Sequence, residues 1–245
     1  MKFRTNHLLC KPALRALYIL ACSIVLFSPT LANADLNDIS RIFHQTPQLN
    51  AFEICQGGGC AEISKIALTE LEWNALTRIF NLPTKNAQEK NEVVERQKIA
   101  QAIGMLEDLV GQKIGTSADL AGTFFNGSVT GQQDCNDEAI NSTTYMRLLK
   151  ANGFMPLHEI EDTRTRNFFF TGWPHSTAVI REIKTGGRFA VDSWFYDNGH
   201  AATIVPFAQW KANYQPADSP VGKVKNAQTT YSQTANLRSI ASGQK

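Results

Sequence analysis

The chain has 245 residues, with 24 basic and 22 acidic side chains and a formal net charge of +2 at pH 7. This length suits one domain with short appendages, and 43% hydrophobic residues exclude a chain that is disordered throughout. The near-even charge argues against a dedicated nucleic-acid-binding protein with a broad basic face.

The N-terminal segment has the three parts of a secretory signal peptide. Residues 1–15 carry Lys and Arg but no acid, residues 16–27 are apolar, and residues 32–34 read Ala-Asn-Ala. We therefore expect residues 1–34 to be cleaved off and the protein to be periplasmic or secreted. A retained membrane anchor is the alternative, although the apolar run is short for a bilayer span. Beyond this segment no apolar run predicts a membrane span.

Apolar periodicity predicts helices first and strands afterwards, which is an α+β plan. A capping box at Thr69 and Glu72 begins one helix, and Asn152-Gly153 ends another. The predicted helices are 36–43, 69–80, 87–110 and 135–152, and the predicted strands are 154–160, 175–183, 188–195 and 202–205. Residues 35–60 are otherwise read as an irregular lead-in. The charged first half of the 87–110 helix is predicted to face solvent.

These elements define one domain over residues 35–215, with its core at about 130–210. Residues 216–245 are rich in Ser, Thr, Gln and Asn and are predicted to be a disordered tail. No internal repeat is present.

The cysteines separate into a pair and a single thiol once Cys10 and Cys22 leave with the signal. Cys55 and Cys60 flank a Gln-Gly-Gly-Gly loop, which can close into a disulfide in an oxidising compartment. A metal site at this loop would need a second Cys or His pair at zinc spacing, and the chain has none. Cys135 is left over, either as a buried inert thiol or as a reactive one.

Three residues predict nucleophilic chemistry. Cys135 begins a helix after Asp134, where the helix N-terminus favours the thiolate. His175 begins an apolar strand and suits a general base. Asp192 ends another apolar strand, where a carboxylate needs a partner, and pairing with His175 provides one. Each residue alone has an ordinary structural explanation, but together they favour a Cys-His-Asp triad.

The expected hairpin register leaves a gap in this triad. A tight turn at Thr185-Gly186-Gly187 places Asp192 opposite Val179. His175 then lies on the same face but about 13 Å away along the strand. A bulge or a wider turn is needed to close the gap. Asp197 is a spare acid that falls on the other face.

The sequences around these residues resemble a known superfamily. The residues are Gly-Gln-Gln-Asp-Cys-Asn-Asp-Glu-Ala at 131–139, Trp-Pro-His at 173–175 and Val-Asp-Ser at 191–193. They resemble the transglutaminase-like cysteine protease superfamily, and most of all the bacterial periplasmic transglutaminase-like cysteine proteinases. The resemblance implies a papain/transglutaminase-like core, in which the helix bearing the nucleophile packs on an antiparallel sheet. It covers about 130–197. The Asp-Tyr pair usual after the nucleophile is here Asp137-Glu138, which leaves the subfamily open.

The resemblance also implies the roles of neighbouring residues. Cys135 is the expected nucleophile, His175 the base and Asp192 the residue that orients the histidine. The oxyanion donors are expected to be the Cys135 backbone N–H and either Gln132 or Gln133. Some relatives bind calcium, although no cofactor is required. The candidate ligands are Asp134, Asp137 and Glu138, whose alternative role is charge complementarity at the helix start. Trp173 and Trp194 are candidates to line a substrate groove.

We therefore expect an exported thiol-dependent amide hydrolase or acyl transferase. Its partners would be a protein or peptide substrate or a cell-envelope component, without nucleic acid. The alternative is a catalytically inactive module of the same fold that binds a peptide or an envelope glycan. A thiol-disulfide protein is a third reading, disfavoured because Cys55 and Cys60 lack C-x-x-C spacing.

Overall fold

A computed structural model describes residues 36–82, 91–124, 131–167 and 174–221. The predicted signal peptide and residues 222–245 of the predicted tail lie outside these ranges. The elements in chain order are α1 Leu36–Phe43, β1 Phe52–Gln56, β2 Glu62–Ile66, α2 Glu70–Asn81, α3 Asn91–Ile114, α4 Cys135–Ala151, β3 His158–Arg166, β4 His175–Glu182, β5 Arg188–Asp192, β6 Thr203–Pro206 and α5 Phe207–Lys211.

The expected α+β class is confirmed. Strands β3, β4, β5 and β6 form a four-stranded antiparallel sheet in that order, and β1 pairs with β2 in a separate antiparallel hairpin. The predicted helix at 36–43 and the capping box of Thr69 and Glu72 are both present. Within the described ranges no helix is long and apolar enough to cross a bilayer.

The main core lies between the sheet and helices α3 and α4. Met146 and Leu149 of α4 and Ile103 of α3 are fully buried with Ile180 of β4. The approach of α3 to the loop before β6 is close, because a Cβ on Gly104 would lie 2.6 Å from the carbonyl oxygen of His200. The start of α4 and the ends of β4 and β5 are thereby held in one rigid unit.

Several elements differ from the sequence prediction. The lead-in contains the β1–β2 hairpin, because the residues on either side of the Gly-rich loop pair with one another. Strand β3 begins at His158 instead of Phe154 and runs to Arg166, and the short helix α5 was not predicted. The charged first half of α3 is not simply a solvated face, since Glu95 is buried.

The register between β4 and β5 also differs from the expected one. Ala178 pairs with Val191, so Asp192 falls opposite Thr177 and two positions from the row of His175. The cause is a wider turn, closed by the hydrogen bond from the Glu182 amide to the Gly187 carbonyl at 2.7 Å. The predicted tight turn is therefore wrong, and the wider turn brings the two side chains within reach.

Candidate active site

The first turn of α4 is organised by an aspartate cap. Asp134 accepts hydrogen bonds from the amides of Asn136 at 2.9 Å and Asp137 at 3.0 Å, and the Asp137 side chain returns a contact to the cap. A helix start leaves its first amides without partners inside the helix, and this capping box satisfies two of them. Cys135 is the first residue of the helix and is 6% exposed.

His175 and Asp192 form a buried hydrogen-bonded pair. The distance from His175 Nε2 to Asp192 Oδ2 is 2.7 Å. Because an ionised carboxylate can only accept, Nε2 carries the proton and Nδ1 of the neutral ring is an acceptor. Within the described part of the chain His175 Nδ1 is buried and has no hydrogen-bond partner. One nitrogen of this histidine is therefore held by Asp192, and the other is available to accept a proton.

The start of β4 lies against the first turn of α4. The Ser176 hydroxyl donates to Asn136 Oδ1 at 2.8 Å, and Cys135 belongs to the buried cluster that includes the aromatic rings around His175. Ser176 directly follows His175 at the start of β4, so this end of the strand brings the imidazole toward the first turn of α4. The three residues predicted from the sequence thus come from α4, β4 and β5 to one place.

The electrostatic environment of the thiol differs from the expected one. Burial raises the pKa of Cys135 to about 12; the Ser176 amide opposes the rise, while Asp134 and Asp192 add to it. Burial and these charges therefore oppose the effect expected of the helix N-terminus. The carboxylate of Asp134 takes the free amides of the first turn, and its negative charge offsets the helix dipole. Both effects favour the protonated form of the resting thiol.

Aromatic rings enclose the imidazole. The ring of His175 lies 4.4 Å from Trp194, 5.6 Å from Phe195 and 5.7 Å from Trp210, measured between centroids. The indole N–H of Trp194 donates to the carbonyl of Thr123 at 2.9 Å. Trp194 therefore forms a buried wall of the histidine site. Trp173, the other groove candidate, lies outside the described residues.

The two candidate oxyanion glutamines brace neighbouring loops. Gln132 donates to the Ala118 carbonyl at 2.8 Å and accepts from the Leu120 amide at 3.1 Å. Gln133 donates to the Cys55 carbonyl at 2.9 Å. Both side-chain amides are thus engaged with the scaffold, and the predicted oxyanion site depends on the Cys135 backbone N–H.

Two of the three acids proposed as calcium ligands, Asp134 and Asp137, bind the loop between the paired cysteines. The Cys55–Cys60 disulfide is present. Asp137 accepts from the amides of Gly58 at 2.7 Å and Cys60 at 2.6 Å, and Asp134 accepts from the third loop amide, of Gly59, at 3.0 Å. Among the residues that the structure describes, no group of three His, Cys, Asp or Glu is arranged to hold a metal ion.

Behind the thiol lies a buried carboxyl cluster that the sequence did not predict. Burial raises the pKa of Glu107 to about 8 and that of Asp119 to about 7. Glu138 joins them, since Ser193 donates to its carboxylate and burial holds its pKa well above the ordinary range. Asp119 comes from a Gly-rich loop, and an isolated acid there is the only sequence signal that points to it.

Two further residues near the site have roles that sequence patterns did not assign. Trp210 of α5 donates its indole N–H to Asp192 Oδ2 at 2.7 Å. Asp197, the spare acid, accepts from the Ala121 amide at 2.9 Å and so braces a loop.

Comparisons with protein-family models, curated proteins and solved structures find no match to this chain. The functional argument therefore rests on the chemistry of the site.

Proposed function

We propose that this protein is an exported thiol-dependent amide hydrolase or acyl transferase that acts through Cys135, His175 and Asp192. One observation carries the proposal: His175 is fixed through Nε2 by Asp192, its buried Nδ1 has no partner in the described residues, and Cys135 belongs to the buried cluster of aromatic rings that surround the imidazole. A base needs a fixed tautomer and an unoccupied acceptor nitrogen.

The proposed reaction starts from the neutral thiol. His175 Nδ1 takes the Sγ proton as sulfur attacks the carbonyl carbon of an amide, and the oxyanion is held by the Cys135 N–H. The imidazolium then gives this proton to the amide nitrogen, the C–N bond breaks, and a thioester remains. Water or an amine attacks the thioester, the C–S bond breaks, and the thiol regains its proton. Asp192 stabilises the imidazolium between these steps.

The proposal extends to the fold, the setting and the partners. A helix that starts at the nucleophile and packs against an antiparallel sheet carrying the base and the acid has the plan of the papain/transglutaminase-like core. The substrate class is a protein, a peptide or a cell-envelope component, in the periplasm or outside the cell. Calcium, if it binds, does not enter the reaction.

A second candidate is a catalytically inactive module that binds a peptide or an envelope glycan. The observation that favours it is the pKa of Cys135, which burial and the surrounding carboxylates raise to about 12. A thiol that is protonated at every physiological pH reacts only with help from a base.

Alkylation of Cys135 by iodoacetamide, followed by mass spectrometry from pH 5 to 10, separates the two candidates. Wild type is compared with His175→Ala, and Cys135→Ser provides the background. If His175 removes the thiol proton, alkylation rises where a histidine loses its own proton, near pH ~6.5 in general. The His175→Ala variant should lose this rise and react only in the alkaline range of the free thiol. Identical profiles in both proteins would favour the binding module.

A further inference from the structure

Two hydrogen-bond donors converge on one oxygen of Asp192. The indole Nε1 of Trp210 lies 2.7 Å from Oδ2, and Nε2 of His175 lies 2.7 Å from the same atom. Both donors are buried, and Trp210 is fully so. A buried carboxylate oxygen with two donors is held in direction as well as in distance.

Trp210 is itself held from several sides. The guanidinium of Arg166 lies 4.7 Å above its ring and donates to its carbonyl oxygen. Phe207 stacks on the indole at 5.6 Å with an interplanar angle of 16°. Arg166 pairs with His175 in the β3–β4 register, so the residue that fixes Trp210 belongs to the strand beside the histidine. The indole therefore has little freedom to turn away from Asp192.

Asp192 needs this second contact because it is the last residue of β5. The side chain at a strand end can rotate, and rotation would move Oδ2 away from His175. The imidazole would then be free to turn, and Nδ1 would lose its direction toward the thiol.

We infer that Trp210 is a positioning residue of the proposed triad, which holds Asp192 Oδ2 toward His175 Nε2 and so presents His175 Nδ1 to Cys135. The inference rests on the proposed function. The charged and titratable groups around Asp192 are His175, Cys135, Glu138 and Arg166, and all are unchanged by a substitution at Trp210.

Trp210→Phe tests the inference, because it removes the N–H donor and keeps an aromatic ring. Trp73→Phe is the matched control, because it makes the same substitution at an indole that packs on Phe154 in the main core. The first readout is the exchange of the His175 Nε2 proton with water, measured by NMR. It does not depend on activity. The second readout is the pH midpoint of Cys135 alkylation.

We expect Trp210→Phe to speed exchange of the Nε2 proton by about tenfold or more and to move the alkylation midpoint downward by about one pH unit. The downward direction follows because a carboxylate that turns away from His175 stabilises the imidazolium less. Trp73→Phe should cause neither change. If the two variants agree within about twofold in exchange and in midpoint, Trp210 has no positioning role and the inference is overturned.

The same data distinguish failure of the inference from failure of the proposed function. Faster exchange in Trp210→Phe alone, with alkylation that never depends on His175, supports the positioning role and rejects the enzyme. His175-dependent alkylation without the exchange difference supports the enzyme and rejects the role of Trp210.

If Trp210→Phe does not fold, wild type provides the test. The chain has only four tryptophans, so its indole resonances can be assigned. The Trp210 N–H signal should be protected from exchange and should move at the same pH midpoint as the His175 Nε2 proton. An unprotected signal, or one that ignores this midpoint, overturns the inference.

Discussion

The described residues contain two buried histidine–carboxylate pairs, which differ in the surroundings of the second ring nitrogen. His158 Nδ1 lies 2.8 Å from Glu95 Oε1, and His175 Nε2 lies 2.7 Å from Asp192 Oδ2. The second nitrogen of His158 lies 3.1 Å from Nη1 of Arg96, whereas that of His175 has no partner within the described residues. Arginine can only donate, so His158 is a neutral ring with both nitrogens in use.

The surroundings of the two pairs explain what each does. Arg96 also binds Glu182 at 2.8 Å, and Glu95 accepts the backbone amide of Leu157 at 3.1 Å. This network joins helix α3 to strands β3 and β4 and uses both ring nitrogens of His158. The His158 pair therefore has a structural role, and His158, Glu95, Arg96 and Glu182 together form a clasp between α3 and the sheet. A buried histidine–carboxylate pair indicates catalysis only when the second nitrogen is open beside a reactive group.

The largest effects are expected from the same substitution at the two histidines. His175→Gln should slow Cys135 alkylation at neutral pH by about 100-fold or more, because the base is lost, and should lower the free energy of unfolding by less than His158→Gln does, because Trp210 still donates to Asp192. His158→Gln should lower the free energy of unfolding by about 3 kcal/mol, because Glu95 is left buried without its partner. Alkylation rates and urea denaturation measure the two quantities.

The test compares two quantities: one variant should lose mainly Cys135 reactivity and the other mainly stability. Cys135 chemistry in folded His158→Gln should match wild type, since the clasp does not contact the thiol. Equal stability losses in the two variants, or a reactive His175→Gln thiol, would remove the distinction between an open and a closed pair.

The sequence predicted the open pair but not the closed one, for a physical reason. Cys135, His175 and Asp192 lie at starts and ends of elements, where a polar residue at the edge of an apolar run is visible locally. Glu95 and Arg96 lie in a charged stretch that resembles a solvated helix face. Their contacts are with a histidine more than 60 residues away, beside which Glu95 is buried and Arg96 half-buried.

The residues that position the site were also difficult to predict from the sequence. Trp210 belongs to a helix of five residues, too short for a periodic signal. The turn after β4 contains Gly186 and Gly187, which fit both a tight and a wide turn, so register could not be fixed from the sequence. The disulfide was predictable from spacing, but its docking on Asp134 and Asp137 depends on the fold.

Loss of the disulfide should destabilise the region around Cys135 and leave the His158 pair intact. A bridge with a sequence separation of 5 contributes about 2 kcal/mol by loop closure. Cys55→Ala with Cys60→Ala should therefore lower the free energy of unfolding by about that amount. It should also speed hydrogen exchange of the loop amides that Asp137 holds.

Hydrogen exchange shows whether this damage stays local. The β3 amides near His158 should keep their wild-type protection in the double variant relative to its lower global stability. Asp137→Asn is the matched control, because it weakens the same docking and retains the disulfide. If the double variant loosens β3 more than the loop, the two regions are not independent.

The buried carboxyl groups near Cys135 predict an unusual pH dependence of the protein's stability. The pKa values of Glu107, Asp119 and Asp137, about 8, 7 and 7, all lie above their ordinary values because of burial. Between about pH 4 and 8 the folded protein thus holds protons that the unfolded chain has released. Stability is greatest in mild acid and falls as pH rises, by about 1.4 kcal/mol per pH unit for each such proton.

Thermal unfolding between pH 5 and 8 measures this slope. The melting temperature should fall with pH, and Glu107→Gln or Asp119→Asn should flatten the fall. Glu70→Gln, at an exposed position, should leave the slope unchanged. A melting temperature that rises over this range would mean that the cluster is ionised in the folded protein.

The smallest effect tests whether an open nitrogen is enough for reactivity. Arg96→Met keeps a long apolar side chain but removes the guanidinium that lies over Phe189 and donates to His158, so that His158 gains the single-sided arrangement of His175. Because Glu95, which the Leu157 amide holds, still binds the ring, the loss in unfolding free energy should be about 1 kcal/mol, less than in His158→Gln. No thiol faces His158, so the alkylation profile should remain that of wild type. If Arg96→Met lowers the free energy of unfolding as much as His158→Gln does, the stabilisation comes mainly from Arg96 and not from the histidine. The state of the second ring nitrogen would then no longer explain the difference between the two pairs.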